Sequence, residues 1–206
     1  MIRIGAFIKQ SFIDWDGKVS AVIFTKGCNF RCWYCHNPSL VIPQLYNNYE
    51  DLSINDVFNY LKERKGWIDG VVITGGEPTV NDDLPEFILQ IKSMGFQVKL
   101  DTNGSNPNML EYLIRKKLID FIALDIKTML DASFYEKIIN IPSCNIIDKL
   151  KESLNIIENS NISHHFRTTL TEQHSNGIIE KLTESFGKDK IQFQHLRQGE
   201  MLMNYI

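Results

Sequence analysis

The sequence predicts an α/β protein: an open, partial (β/α)6 barrel, TIM-like, with parallel strands and its site at the carboxyl ends of those strands. Three observations lead there. Short apolar, β-branched runs alternate with helical patterns along the chain. The runs are apolar enough for a sheet covered on both faces. The residues of chemical character fall directly after the runs, where loops converge at the rim of such a sheet. Six units fall short of a closed eight-stranded barrel, and a flat doubly wound sheet is the other arrangement the pattern allows.

The strand candidates are 19–24 (VSAVIF), 71–74 (VVIT), 97–100 (QVKL), 120–124 (DFIAL), 165–170 (HFRTTL) and 191–194 (IQFQ). Between them the period changes. In 53–65, Ile54, Val57, Phe58 and Leu61 recur at helical spacing, with Ser53 as N-cap, Asp56 three residues on and Gly66 as the stop. The segment 82–94 repeats this with Leu84, Phe87, Ile88 and Ile91, Pro85 near its start and Gly95 at its end. A helix from Pro107 to Lys117 buries Leu110, Leu113 and Ile114, and 145–158 and 176–185 are further helical segments.

At 206 residues the chain fits one domain, 1–206, and 43% hydrophobic residues supply a core. A net charge of -3 with scattered Lys and Arg gives no field that gathers nucleic acid. The N-terminal MIRIGAFIKQSFIDWDG meets Lys9 and Asp14 before any signal-length apolar run, and no stretch approaches eighteen consecutive apolar residues. The expectation is a cytoplasmic protein without a membrane partner. Four cysteines, three of them at 28, 32 and 35 and one at Cys144, make no disulfide framework and point to metal or redox chemistry. Cys144 itself is expected to be a small apolar filler.

CNFRCWYCHNP, residues 28–38, has three readings. Cys32-Trp-Tyr-Cys35-His36 satisfies the rule for covalent haem, but that attachment follows export and gives Cys28 no task. Three thiolates and His36 complete a zinc tetrahedron, although His36 adjoins Cys35 and is awkwardly placed to close on the same ion. A [4Fe–4S] cluster takes three thiolates from one tight loop and leaves one iron free of protein, an open position at which something else binds. Gly27 lets the backbone turn close to such a cluster, and Arg31 is either positive charge beside it or a solvated loop residue.

TKGCNFRCWYCHNP, with Cys28-x3-Cys32-x2-Cys35 and an aromatic at Tyr34, resembles the cluster loop of the radical S-adenosylmethionine (SAM) superfamily. Followed by VVITGGEPT, VKLDTNGS and ALDIK, it resembles the glycyl-radical-enzyme activases, most of all the anaerobic ribonucleoside-triphosphate reductase activating proteins. The resemblance is tight to about residue 130 and holds only in outline beyond. It implies Cys28, Cys32 and Cys35 as iron ligands, and Gly75, Gly76 and Glu77 at the methionyl amino group, the glycines permitting close backbone approach. It also implies the backbone of Tyr34 at the adenine, Asp101, Thr102 and Asn103 of the DTNG stretch among the cofactor-binding residues, and the pair Asp125 and Lys127 near the SAM carboxylate and ribose. A monovalent cation beside Asp101 and Asp125 belongs to the same expectation, as do Arg167 facing SAM and His195 near the adenosyl group.

The implied activity is reductive cleavage of SAM to place a glycyl radical on a partner enzyme, first of all an anaerobic ribonucleotide reductase. The electron donor would be external, such as a flavodoxin, because Cys144 alone cannot ligate a second cluster. A sheet of six strands leaves one side open and so favours a macromolecular substrate. Two other classes stand beside this one: a radical SAM enzyme acting on a small molecule, like 7-carboxy-7-deazaguanine synthase, and a non-enzymatic metal-binding or electron-transfer module.

Overall fold

The computed structural model describes residues 2–205 and, for Cys144, the backbone alone. One sheet carries seven strands in chain order: β1 (Ile4–Ser11), β2 (Ser20–Thr25), β3 (Gly70–Gly75), β4 (Gln97–Thr102), β5 (Phe121–Asp125), β6 (Ser163–Leu170) and β7 (Ile191–His195). β1 is antiparallel to β2, and every later pair is parallel. The six parallel strands are the six runs read from the sequence. Their order never reverses, which excludes the doubly wound alternative: that arrangement requires a switch point where the order turns back. Right-handed crossovers in a sheet of unbroken order put the helices on one side, and the sheet curls around the other as an open partial barrel.

Among the described residues, eight α-helices connect the strands: α1 (Pro38–Val41), α2 (Pro43–Tyr46), α3 (Ile54–Glu63), α4 (Leu84–Ser93), α5 (Pro107–Arg115), α6 (Ala132–Ile139), α7 (Cys144–Glu158) and α8 (Asn176–Phe186). Their ends follow the sequence signals. Ser53 Oγ accepts from Asp56 N at 3.3 Å at the start of α3. Asn106 Oδ1 accepts from Met109 N at 3.3 Å ahead of α5, whose first residue is Pro107. After α4, Gly95 adopts φ +93° and its N–H returns to Lys92 O at 2.9 Å.

The main core lies between the helices and the outer sheet face. It joins Val71 and Ile73 of β3, Val98 and Leu100 of β4, and Ile122 and Leu124 of β5 to Phe58, Leu61, Phe87, Ile88, Ile91 and Leu110. Phe58 and Phe87 stack at 5.4 Å. Each such side chain contributes about 1.5–3 kcal/mol by leaving water. The inner face differs along its length: Val22, Val72 and Trp15 close one end, while polar side chains line the rest. Trp15 belongs to the β1–β2 loop, which folds beneath the barrel and is held by Lys99 Nζ on Asp14 O at 2.5 Å.

Four elements have no counterpart in the sequence reading: β1, α6, and α1 and α2, whose four residues each are too few to show a period. β1 begins Ile-Gly-Ala, where a Cβ on Gly5 would lie 2.3 Å from Leu40 Cδ2 and force that side chain to shift; the glycine weakens the strand pattern of its own segment. α6, ASFYEKII, spans little more than two turns, too few for its period to stand out. Cys144 opens α7, and the expectation for its side chain lies outside the described residues. Among the described residues, no helix is long and apolar enough to cross a membrane.

Candidate functional site

The loop after β2 carries the three cysteines and is fastened before it reaches them. Lys26, almost fully buried, donates to Tyr46 O and Tyr49 O at 3.0 and 2.8 Å and pairs with Asp51 at 2.7 Å. Gly27 N reaches Leu40 O at 2.7 Å. Further on, Arg31 N and Trp33 N donate to Ile139 O and Ile138 O at 2.9 and 3.2 Å. These carbonyls end α6 and have no partner within the helix, so the loop caps it. Arg31 adopts neither of its two expected roles alone: its Nη1 clasps the loop's own Cys28 O and Phe30 O at 2.7 and 2.8 Å.

Cys28, Cys32 and Cys35 are free and line one cavity of about 200 Å³. Cys28 Sγ accepts from Phe30 N and Cys35 Sγ from Asn37 N, each at 3.4 Å. Burial raises all three thiols: Cys28 with Glu77 adding to the effect, Cys32 to about 11 despite the nearby Lys127, and Cys35 in the same direction. Buried thiols of this kind stay protonated until a metal displaces the proton. Among the described residues, no group of three or more His, Cys, Asp or Glu converges on a single metal ion. Sulfurs set around a cavity, with backbone N–H groups aimed at two of them, fit a multi-iron group better than a mononuclear zinc. His36 faces elsewhere, with Nδ1 3.3 Å from Glu200 O, and lines the wide cleft instead of this cavity.

The Gly75-Gly76-Glu77 turn closes β3 against the same loop. A Cβ on Gly76 would lie 2.0 Å from Gly27 O, and one on Gly75, at φ +117°, 2.4 Å from Thr25 N. The glycines therefore serve chain against chain, a reason that the expectation of cofactor approach did not contain. Glu77 N bonds Gly27 O at 2.8 Å. Its buried carboxylate accepts from Thr79 N, Thr79 Oγ1 and Thr102 Oγ1 on Oε1 and from Asn103 N on Oε2, at 3.1, 2.6, 2.6 and 2.6 Å. Burial raises its pKa, and these donors oppose the rise. Asn103 and Ser105 in turn hold Asn29 of the cysteine loop at 2.9 and 2.7 Å. Thr102 and Asn103 are thus braces between loops while also lining the cavity.

An alternating row of charges runs from Lys99 on the wide cleft into the opposite wall, which Asp101, Arg167, Asp125 and Lys127 form. Lys99 lies 3.3 Å from Asp101; Arg167 donates to Asp101 at 3.1 Å and to Asp125 at 2.7 Å; Lys127 donates to Asp125 at 3.1 Å. Burial would raise the Asp125 pKa, but Arg167 and Lys127 more than reverse it and hold the carboxyl well below the usual range. Against their own burial, Asp125 drives both Arg167 and Lys127 up, and Asp101 adds to the effect at Arg167. The monovalent cation expected beside Asp101 and Asp125 finds no support: side-chain cations already occupy the pair.

Arg167 stands on the fifth parallel strand, and with Thr74 and Asp101 it lines both the cysteine cavity and a wide cleft of about 990 Å³ inside the barrel. His195 lies on that cleft at the exposed end of β7, away from the cysteines. Tyr34 is 6% exposed and packs with Phe30 and Tyr135 beneath the loop, its hydroxyl without a partner. The sequence reading missed Lys99, His165, Gln192 and Gln194, all on the cleft. The signal was available: in VKLD, HFRT and IQFQ the polar residues alternate, marking strands whose inner face is wet. Burial, Lys99 and Arg167 lower His165 to about 4, leaving it neutral.

The family profile of the radical SAM superfamily matches residues 22–181. A Methanocaldococcus jannaschii protein assigned by name to the glycyl-radical enzyme activating enzymes is 34% identical over 169 residues, 81% of this chain and 67% of that one. Pyruvate formate-lyase-activating enzyme of Clostridium pasteurianum is 30% identical over 186 residues, 85% of this chain and 73% of that one. Streptococcus suis SuiB bound to S-adenosylmethionine superposes with a TM-score of 0.62 at 20% identity over 86% of this chain, which spans 40% of SuiB; this likeness is one of fold.

Proposed function

The chain belongs to the radical SAM superfamily, and from that premise we propose that it installs a glycyl radical on a partner enzyme, first of all an anaerobic ribonucleotide reductase. Cys28, Cys32 and Cys35 would hold a [4Fe–4S] cluster, with SAM beside it. When bound, that pair would supply reductive cleavage of SAM, with the electron from an external reductant such as flavodoxin, and through it the removal of a hydrogen atom from a glycine Cα.

The chain's own residues do the positioning. Glu77 Oε2, which accepts one donor, keeps acceptor capacity for the methionyl ammonium. Arg167 and Lys127, held at the cavity by Asp101 and Asp125, are the cationic groups placed to meet the SAM carboxylate. Tyr34, whose ring is buried beneath the loop, would meet an adenine only through its main chain, as the family resemblance implies. His195 on the wide cleft suits the adenosyl end or the incoming substrate. The cleft sits at the upper end of the about 300–1,000 Å³ range of small-molecule pockets and so has room for more than a cofactor.

The observation that carries the reading is the shared lining: three thiols, Glu77 and the charged wall enclose one cavity that meets the wide cleft at Asp101 and Arg167. The similarity to activating enzymes over most of the chain supports it. After anaerobic reconstitution, protein, SAM and reductant should yield 5'-deoxyadenosine, and addition of the reductase should yield a glycyl doublet in electron paramagnetic resonance. A doublet on pyruvate formate-lyase alone would move the partner and keep the activity. No SAM cleavage by an iron-loaded protein would remove the activity itself.

A further inference from the structure

The two edges of the open sheet are unequal. β1 is protected in the ways edge strands usually are: its pairing with β2 shifts register between Ile4 and Ala6 and again between Ile8 and Ser11, it carries Lys9, and Leu52 N covers Ile4 O at 2.8 Å. β7 has no such device. Its sequence, IQFQH, holds no Lys, Asp, Glu or Pro, and its register with β6 is unbroken from Ile191 to His195.

The ladder fixes which β7 groups are free. Phe166 N donates to Lys190 O at 2.8 Å and Leu196 N to Leu170 O at 3.1 Å. With Thr168 opposite Phe193, parallel geometry turns the N–H and C=O of Gln192 and Gln194 toward β6 and those of Phe193 and His195 outward. Among the described residues, no other backbone segment bonds to the Phe193 or His195 main chain. Two N–H and C=O pairs thus stand free two residues apart, about 7 Å along the strand. On the same strand Gln192, Gln194 and His195 line the cleft that leads to Arg167.

We propose that the outer edge of β7 is a docking strand for an extended segment of the partner protein, which pairs with the main chain of Phe193 and His195 and lies along the mouth of the cleft. This deepens the activase reading and rests on it. Strand addition recognises main chain, so affinity comes from the backbone and the cleft samples alternate side chains. A glycine in such a segment presents a Cα hydrogen to the cleft whichever way the strand alternates, since both substituents are hydrogen. The uncharged edge is the feature a binding strand needs and a merely terminal strand avoids.

The test uses reconstituted holoenzyme and whichever of anaerobic ribonucleotide reductase or pyruvate formate-lyase takes the radical. Residue-resolved amide exchange should slow about tenfold or more at Phe193 and His195 on adding that partner, while Gln192 and Gln194, already bonded to β6, change little. Phe193→phenyllactate deletes one outward N–H and keeps the ring. It should leave partner-free SAM cleavage unchanged and weaken partner binding about fivefold, the worth of about 1 kcal/mol. Unaltered exchange at both amides, with a normal glycyl doublet, overturns this proposal alone. Protection that grows with enzyme concentration without partner also overturns it, because the edge would then pair with a second copy. A wild-type protein that marks neither partner overturns the activase reading, and this inference with it.

Discussion

Arg167 Nε donates to Asp125 Oδ1 at 2.7 Å, a bond from the fifth parallel strand to the fourth that fixes the wall of the cysteine cavity. The same guanidinium reaches Asp101 on the third. One side chain therefore sets the spacing of three strand ends.

Replacing it should cost stability as well as activity. Arg167→Ala leaves two largely buried carboxylates without their shared cation, a change of about 3–5 kcal/mol by the rule for broken buried pairs. Urea unfolding of the iron-free protein measures it, and Asp125→Asn in the Arg167→Ala background should recover part of the loss. A shift below about 1 kcal/mol, the value of an exposed pair, would show that the contact is slack.

Acid should act through Asp125. Its pKa is depressed in the fold, so its contribution to stability is complete above the ordinary carboxylate value and fades as pH falls below about 4. Between pH 6 and pH 3 the wild type should lose more unfolding free energy than Asp125→Asn. Parallel curves for the two proteins would contradict the depressed value.

Gly76→Ala tests the contact between the two loops. The added methyl would meet Gly27 O at 2.0 Å, and backbone on both sides gives little room to relax. The expected cost is about 1–3 kcal/mol from overpacking, together with reduced iron per chain after reconstitution because the Cys28 loop is displaced. Full iron loading at unchanged stability would mean that the loops separate freely.

Cys32 offers a chemical readout. With its thiol pushed up to about 11 by burial, the thiolate at pH 8 is about a hundredfold scarcer than for an unperturbed cysteine of pKa 9.0. Iodoacetamide should modify Cys32 of the iron-free protein at least that much more slowly than a free thiol. Iron loading should release protons, measurable in weakly buffered solution. Alkylation at the rate of a free thiol would place Cys32 outside the buried loop.

Glu77 has a structural task that its motif did not show. Its place after two glycines suggested a polar anchor for a ligand, yet its carboxylate accepts four hydrogen bonds from the chain itself. Glu77→Gln should therefore destabilise the fold by about 1–3 kcal/mol, because an amide NH2 would confront donors that need an acceptor. Calorimetry of the iron-free protein separates this from any effect on cofactor binding.

The sequence by itself determined the six parallel strands, most of the larger helices and the gathering of TKGC, GGEP, DTNG and DIK at one rim. Those features follow from local causes: hydrophobic period, caps and the chemistry of turns. It could not determine that α6 would be the pedestal of the cysteine loop, because the bonds from Arg31 and Trp33 to its last carbonyls span more than a hundred residues. Nor could it show that Arg167 would bridge Asp101 and Asp125, since it reaches Asp125 from one strand away and Asp101 from two. Which edge of the sheet stays bare was likewise decided only when the strands took their places, as an unpaired N–H is a property of neighbours and not of residues.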